Sequence, residues 1–212
     1  MTRLREACKR TCELDVHLHF GFDSDDPFLQ DNILAAGDAL FTTGDRMHLA
    51  GWTNLLATYH PKAPYLASIG DDMVPVTPGW DRLLVEAQQR YGPGFTYPDD
   101  KRRHDIPEAV VIDARITAAL GWVCEPTLTH WYVDNVWADL GNGAGCLTYV
   151  PAAVVEHRHP NIPGGDKPDG TYNDAARCYN HDLTRYQSWR LRRMRADVSA
   201  VRGVREALPD PQ

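Results

Sequence analysis

The hydrophobic pattern of this chain switches repeatedly between two periods. In residues 2–12, Leu4, Ala7, Cys8 and Cys12 recur at helical spacing. Residues 15–22, DVHLHFGF, change to period two: Val16, Leu18, Phe20 and Phe22 alternate with His17, His19 and Gly21, which predicts a strand. Pro27 stops it and leaves Asp23, Asp25 and Asp26 at its C-terminal end. Residues 28–44 show no dominant period and fit a short helix and a turn. Helical spacing returns in residues 47–59 through Leu49, Trp52, Leu55, Leu56 and Tyr59. A second strand, residues 65–69, runs straight into Gly70, Asp71 and Asp72, and after a turn at 75–78 an amphipathic helix covers 79–91.

The second half continues the alternation. Residues 95–97 read as a short strand, and 109–121 pass from strand-like VVI to helix-like RITAALG. Residues 130–140 predict a helix stopped by Gly141, Asn142 and Gly143. Two strands are expected at 146–150 and 152–156, then a Gly/Pro-rich loop at 160–170, either a lid or a surface loop. One long arginine-rich helix, 173–207, closes the chain. Strands alternating with helices predict a single α/β layered domain whose ligands sit at the C-terminal ends of its strands.

Composition narrows the function classes. The net charge of −7 argues against general affinity for nucleic acid, which depends on cationic contacts to phosphates. The exception is WRLRRMR at 189–195, read either as a solvated helix face, as a contact for a polyanionic acceptor, or as arginines closing over donor phosphates. No run of about 18 apolar residues exists to span a membrane. The first ten residues lack the apolar core of a secretory signal, so a cytoplasmic location is expected. Five cysteines without a CxxC pair are expected to be reduced structural thiols.

Four groups of residues can carry chemistry. Asp23, Asp25 and Asp26 follow one strand and Asp71 and Asp72 another, so both groups are expected to face one crevice. Clustered carboxylates suit Mg²⁺ or Mn²⁺ shared with substrate phosphates; each group alone also fits a polar turn. His157 and His159 alternate at a strand end and offer imidazole to such an ion, or are ordinary surface histidines. Asp134, set among Trp131, Tyr132 and Trp137, fits a general base towards a hydroxyl or a helix-initiating acid.

The runs YLASIGDDMVPVTPGWD and THWYVDNVWADLGNGAGCLTYVPAAVVEHRHP, in this order, resemble GT-A glycosyltransferases related to glycosyltransferase family 2, especially small actinobacterial and phage members. The resemblance spans about residues 4–189 and is densest over 65–160. It implies a Rossmann-like three-layer sandwich with a mixed sheet, a GT-A-like domain over 1–170, and an arginine-rich helix over 171–212 packed on it. Relatives open with a buried strand, whereas this chain begins in the following helix, so the first strand is expected to be missing or supplied from elsewhere.

The resemblance also assigns roles. Asp23 and Asp25 would hold the nucleotide base and ribose, with Arg46 contacting phosphate. Asp71 and Asp72 stand for the acidic motif that holds Mn²⁺ or Mg²⁺ on the diphosphate, Asp72 as the direct ligand. His157 or His159 would complete the metal shell, and Asp134 would deprotonate the acceptor hydroxyl in an inverting transfer. The donor is a nucleoside-diphosphate sugar; the acceptor stays open among protein, glycan, lipid and modified DNA. Two alternatives stand beside this: a non-catalytic nucleotide- or glycan-binding domain, and a metal-dependent nucleotidyltransferase or phosphohydrolase.

Overall fold

The computed structural model describes residues 1–163, 165, 166 and 170–207. Along the chain run α1 (Thr2–Thr11), β1 (His19–Asp23), α2 (Leu29–Ala36), β2 (Leu40–Gly44), α3 (His48–Thr58), β3 (Tyr65–Ser68), β4 (Met73–Pro75) and α4 (Trp80–Tyr91). They are followed by β5 (Phe95–Asp99), β6 (Val110–Asp113), α5 (Ala114–Leu120), α6 (Val133–Ala144), β7 (Leu147–His157), α7 (Gly170–Arg192) and α8 (Met194–Glu206). The fold is α/β with a mixed sheet, in the order β3-β6-β5-β7-β4. Only β5 and β7 run parallel in it; the other neighbours are antiparallel. β1 and β2 form a separate parallel pair joined through α2.

Helices cover both faces of the larger sheet, and the alternation of its central strand shows why. In β6, Val110 and Ile112 enter a core with Ile116, Trp122, Val136, Trp137, Leu140 and Val201, supplied by α5, α6, α8 and the α5–α6 connection. Val111 points the other way, into a core with Leu4, Trp80, Leu84 and Val155 from α1, α4 and β7. A strand buried on both faces needs a continuous apolar run, which VVI provides.

Several expectations are corrected. The first strand is confined to His19–Asp23, and the segment read as helix and turn contains β2 as well as α2. β2 was hidden because Leu40 and Phe41 are both exposed and Thr42–Gly44 carry no alternation. The turn after Asp72 includes β4, too short at three residues to show a period. Gly141 and Gly143 do not stop α6. A Cβ at 141 would meet Leu147 at 2.8 Å, and one at 143 would meet Val198 at 2.8 Å, so these glycines let α6 press against β7 and α8. The stop is Gly145, at φ +67 with its N–H on the Asn142 and Gly141 carbonyls.

The two strands expected around Pro151 are one element, β7, with an irregularity where the partner of Pro98 is Val150 and that of Asp99 is Val154. Pro151 has no N–H to give the ladder, which accounts for the slip. Its first half pairs with β5 and its second with β4. The expected single C-terminal helix is two, broken at Arg193 (φ −123). Trp189 is buried and donates to Asp197 Oδ2 at 2.8 Å, which folds α8 back on the end of α7. Residues 208–212 of that expected helix, and Gly164 and 167–169 of the expected lid, lie outside the described residues. No described helix is long and apolar enough to cross a membrane, and all five cysteines are free thiols.

Candidate functional site

Backbone pairing brings together residues far apart in sequence. Asp72 leaves β3 through a tight turn in which Met73 N–H donates to the Gly70 carbonyl at 3.1 Å. A Cβ at Gly70 would lie 2.6 Å from Asp72 Oδ1, so glycine is what lets the carboxylate fold back there. β4 then pairs Met73 with His157, Arg158 N–H donates to the Asp72 carbonyl at 2.9 Å, and His157 N–H to the Asp100 carbonyl at 3.1 Å. Three chain segments are thereby fixed around one imidazole.

Both nitrogens of His157 face carboxylates: Nε2 lies 3.1 Å from Asp72 Oδ2 and Nδ1 lies 2.7 Å from Glu108 Oε2. Burial opposes the charged ring, yet these two bonds and charges outweigh it and raise the histidine to about 9. The ring is therefore an imidazolium donating to both acids at neutral pH. Behind it, Glu108 Oε1 accepts from Arg102 at 2.6 Å, and Asp100 Oδ1 accepts from the Arg102 and Arg103 N–H groups at 2.7 and 2.8 Å. Burial raises Asp100; Glu108 is also buried, but His157 and Arg102 hold it below its ordinary value. His159 packs edge-on to His157, with centroids 5.2 Å apart, and its Nδ1 accepts from Asn161 N–H. Of the two histidines, His157 is the one directed at Asp72.

Asp100, Glu108 and His157 can each offer one ligand atom within 4.8 Å of the others. Their atoms are largely committed to one another and to Arg102, however, which suits a supporting role. The Asp72–His157 edge suits a metal better. A histidine whose other nitrogen is held by a carboxylate is the usual metal-binding arrangement. A divalent ion could be held by Asp72 and His157 once the ring gives up its Nε2 proton, with Glu108 then orienting it.

Asp134 lies in the first turn of α6, half-buried, with Oδ1 accepting from Asn135 N–H at 2.9 Å. Burial pushes its carboxyl up to about 6; the Asn135 bond opposes this, Glu108 adds to it and Arg103 opposes it, so Asp134 shares the electrostatic environment of the His157 cluster. The loop before it is fixed by Asp182 of α7, which is wholly buried. Asp182 accepts from Thr129 N–H and Oγ1, His130 N–H and Trp131 N–H at 2.8–3.0 Å. Burial opposes its charge, but these bonds win and lower it. His130 is lowered by burial, against which the charge of Asp182 pulls it up; His48 lowers it further and Asp72 raises it.

The other acidic strand end is built differently. Asp23 accepts from Trp52 Nε1 at 2.8 Å and Met47 N–H at 3.3 Å. Arg46 lies 3.4 Å from Asp23, 3.1 Å from Asp25 and 3.1 Å from Asp174 of α7. These three candidate nucleotide-binding residues therefore hold one another, beside an open concavity lined by Arg46, His48, Asp174, Arg177 and Cys178. Asp26 caps the turn into α2 through Phe28 N–H at 2.8 Å. Asp71 points outwards, its side chain 67 % exposed and 3.9 Å from the Met1 amino group. In WRLRRMR, Arg190 lies 3.2 Å from Asp139 and Arg193 lies 3.6 Å from Asp197, both intramolecular roles.

Glu108, Asp100 and Asp182 were not found from sequence. Asp100 and Glu108 stand in a stretch without period or motif, and Asp182 in a helix where nothing marks it; each acquires its role only through tertiary pairing. No protein-family model matches the chain, and no curated protein matches it.

Proposed function

We propose that this protein is a metal-dependent glycosyltransferase of the GT-A kind, moving a sugar from a nucleoside diphosphate to an acceptor hydroxyl with inversion. The observation that carries the reading is the meeting of Asp72 and His157, 85 residues apart, at 3.1 Å, in the same electrostatic cluster as an Asp134 raised to about 6. The mixed sheet with helices on both faces supports it.

In this reading Asp72 and His157 hold Mn²⁺ or Mg²⁺, and the ion supplies neutralisation of the charge that develops on the diphosphate leaving group. Glu108 keeps the imidazole turned towards Asp72. Asp134 takes the proton of the acceptor hydroxyl as its oxygen attacks the anomeric carbon. The bond from that carbon to the diphosphate oxygen breaks on the opposite face, and the proton remains on Asp134. A carboxyl near 6 suits this task, since it is ionised at neutral pH yet more basic than a solvated aspartate. Asp23, Asp25 and Arg46 would receive the nucleotide by exchanging their mutual ion pairs for contacts to it, with Asp71 at the edge.

Calorimetric titration with Mn²⁺ and with UDP or GDP, alongside assays of donor hydrolysis and transfer, tests the proposal. Metal-dependent nucleotide binding with sugar turnover is expected. Metal and nucleotide binding without turnover in the presence of acceptors would make the protein a binding domain. Release of phosphate or pyrophosphate without glycoside formation would make it a hydrolase or nucleotidyltransferase.

A further inference from the structure

Outside the charged cluster, the least expected surface is aromatic. Trp131 and Tyr179 are 38 % and 42 % exposed, with centroids 5.4 Å apart and planes at 80°, so together they form a ledge with two perpendicular faces. The ledge is rigid. Trp131 Nε1 donates to the Ala175 carbonyl at 2.6 Å, and its N–H is held by Asp182 at 2.8 Å. The Tyr179 ring packs against that of Tyr132 with centroids 5.7 Å apart, and the Tyr132 ring stacks on Tyr186 at 5.0 Å and 14°. Tyr132 sits at φ +67, a backbone strain a non-glycine residue tolerates only where its surroundings enforce it. That turn lies between the exposed Trp131 and the start of α6, and Tyr132 and Tyr186 both feel the charge of Asp134.

We infer that the Trp131–Tyr179 ledge is a saccharide-binding subsite, stacking the C–H face of a pyranose ring, and that this saccharide is the acceptor. The role as acceptor rests on the transferase reading; the binding does not. Aromatic faces favour an apolar surface, while the adjoining hydroxyls and His130 offer hydrogen bonds, and a sugar ring presents both chemistries. A lipid chain would need apolar surface to continue along α7. The next large exposed apolar residue there is Leu191, twelve positions and about 18 Å beyond Tyr179.

The chain has six tryptophans, so ¹⁵N-labelled indoles give six signals, and Trp131 is the one lost in Trp131→Phe. The probes are methyl glycosides of glucose, galactose, mannose and N-acetylglucosamine, with Mg²⁺ and with or without UDP or GDP. At least one is expected to shift the Trp131 signal more than the other five. Tyr179→Ala, at an exposed helix position, should weaken that binding about fivefold or more. A Trp131 signal unmoved at tens of millimolar by every glycoside overturns the proposal, as does binding indifferent to Tyr179→Ala. If donor turnover to water is seen without glycoside binding, the ledge is refuted and the transferase reading survives. Glycoside binding at Trp131 in a protein that binds no nucleotide leaves the ledge standing and removes the transferase.

Discussion

Asp23 and Asp72 both end a strand, and in sequence they look alike. In the folded chain, three carboxylates converge on Arg46 at one end, while Asp72 and Glu108 converge on His157 at the other. The cations differ in one decisive respect. A guanidinium stays charged at any accessible pH, so the Arg46 group is an ion-pair network that a ligand enters only by displacing its acids. An imidazolium can surrender a proton, and a divalent ion can take its place between the same two ligands. The same acidic signature thus gives a brace in one place and a candidate metal centre in the other.

The largest effect expected from breaking this contrast is at Asp134. Asp134→Asn should lower the transfer rate by about 10²- to 10⁴-fold, the usual contribution of a general base, while leaving Mn²⁺ affinity in place. In the parent protein the rate should fall as pH drops through about 6, the value burial gives Asp134, and the limb should vanish in the variant. Stability runs the other way. Because the folded carboxyl holds its proton more tightly than the unfolded one, native stability declines as pH rises from the ordinary aspartate value of 3.8 to about 6. Asp134→Asn should therefore stabilise the fold at pH 7, by roughly 1–2 kcal/mol, in urea titrations. A destabilised variant would count against the burial that raises this group.

Next in size is Asp182→Ala. It strands three N–H donors in the Thr129–Trp131 loop, and about 3 kcal/mol of stability should be lost in urea unfolding. Glu108→Gln is expected to weaken Mn²⁺ binding about 10- to 100-fold by calorimetry, since it loosens the ring that Asp72 faces. An unchanged affinity would shift the metal away from His157. Smallest is Arg46→Ala, worth no more than about 1 kcal/mol in thermal unfolding because its ion pairs are partly exposed. A loss several times larger would mean that the brace, and not the metal centre, is the sensitive end.

How much of this was legible depends on where each signal resides. The layered α/β plan followed from residue periods, because Leu4 and Cys8 on α1 or Val110 to Ile112 on β6 face cores that demand those spacings. β2 and β4 escaped, being exposed in one case and three residues long in the other. The glycines of α6 were read as punctuation when they are contact surfaces, a distinction visible only once Leu147 and Val198 are across from them. Among the site residues, Asp72 and His157 were named and do meet; Glu108 and Asp182 were missed. A carboxylate orienting a ring from behind, or pinning a loop from another helix, leaves no local trace. The arrangement of Arg46 with Asp23 and Asp25 was likewise set by tertiary neighbours, including Asp174 at a distance of 128 residues along the chain.

Two of the backbone bonds at the end of β7, Arg158 N–H to Asp72 and His157 N–H to Asp100, have a kinetic meaning as well. They close loops of many tens of residues, so this corner pays its chain entropy late and should be among the slower contacts to form. Until the end of β7 docks, Asp72 and His157 are strangers in solution. A divalent ion that binds both would then act as a latch on the last strand. Its addition should slow amide exchange at His157 and Arg158 more than at Val110 to Ile112, whose protection already reflects the buried centre of the sheet.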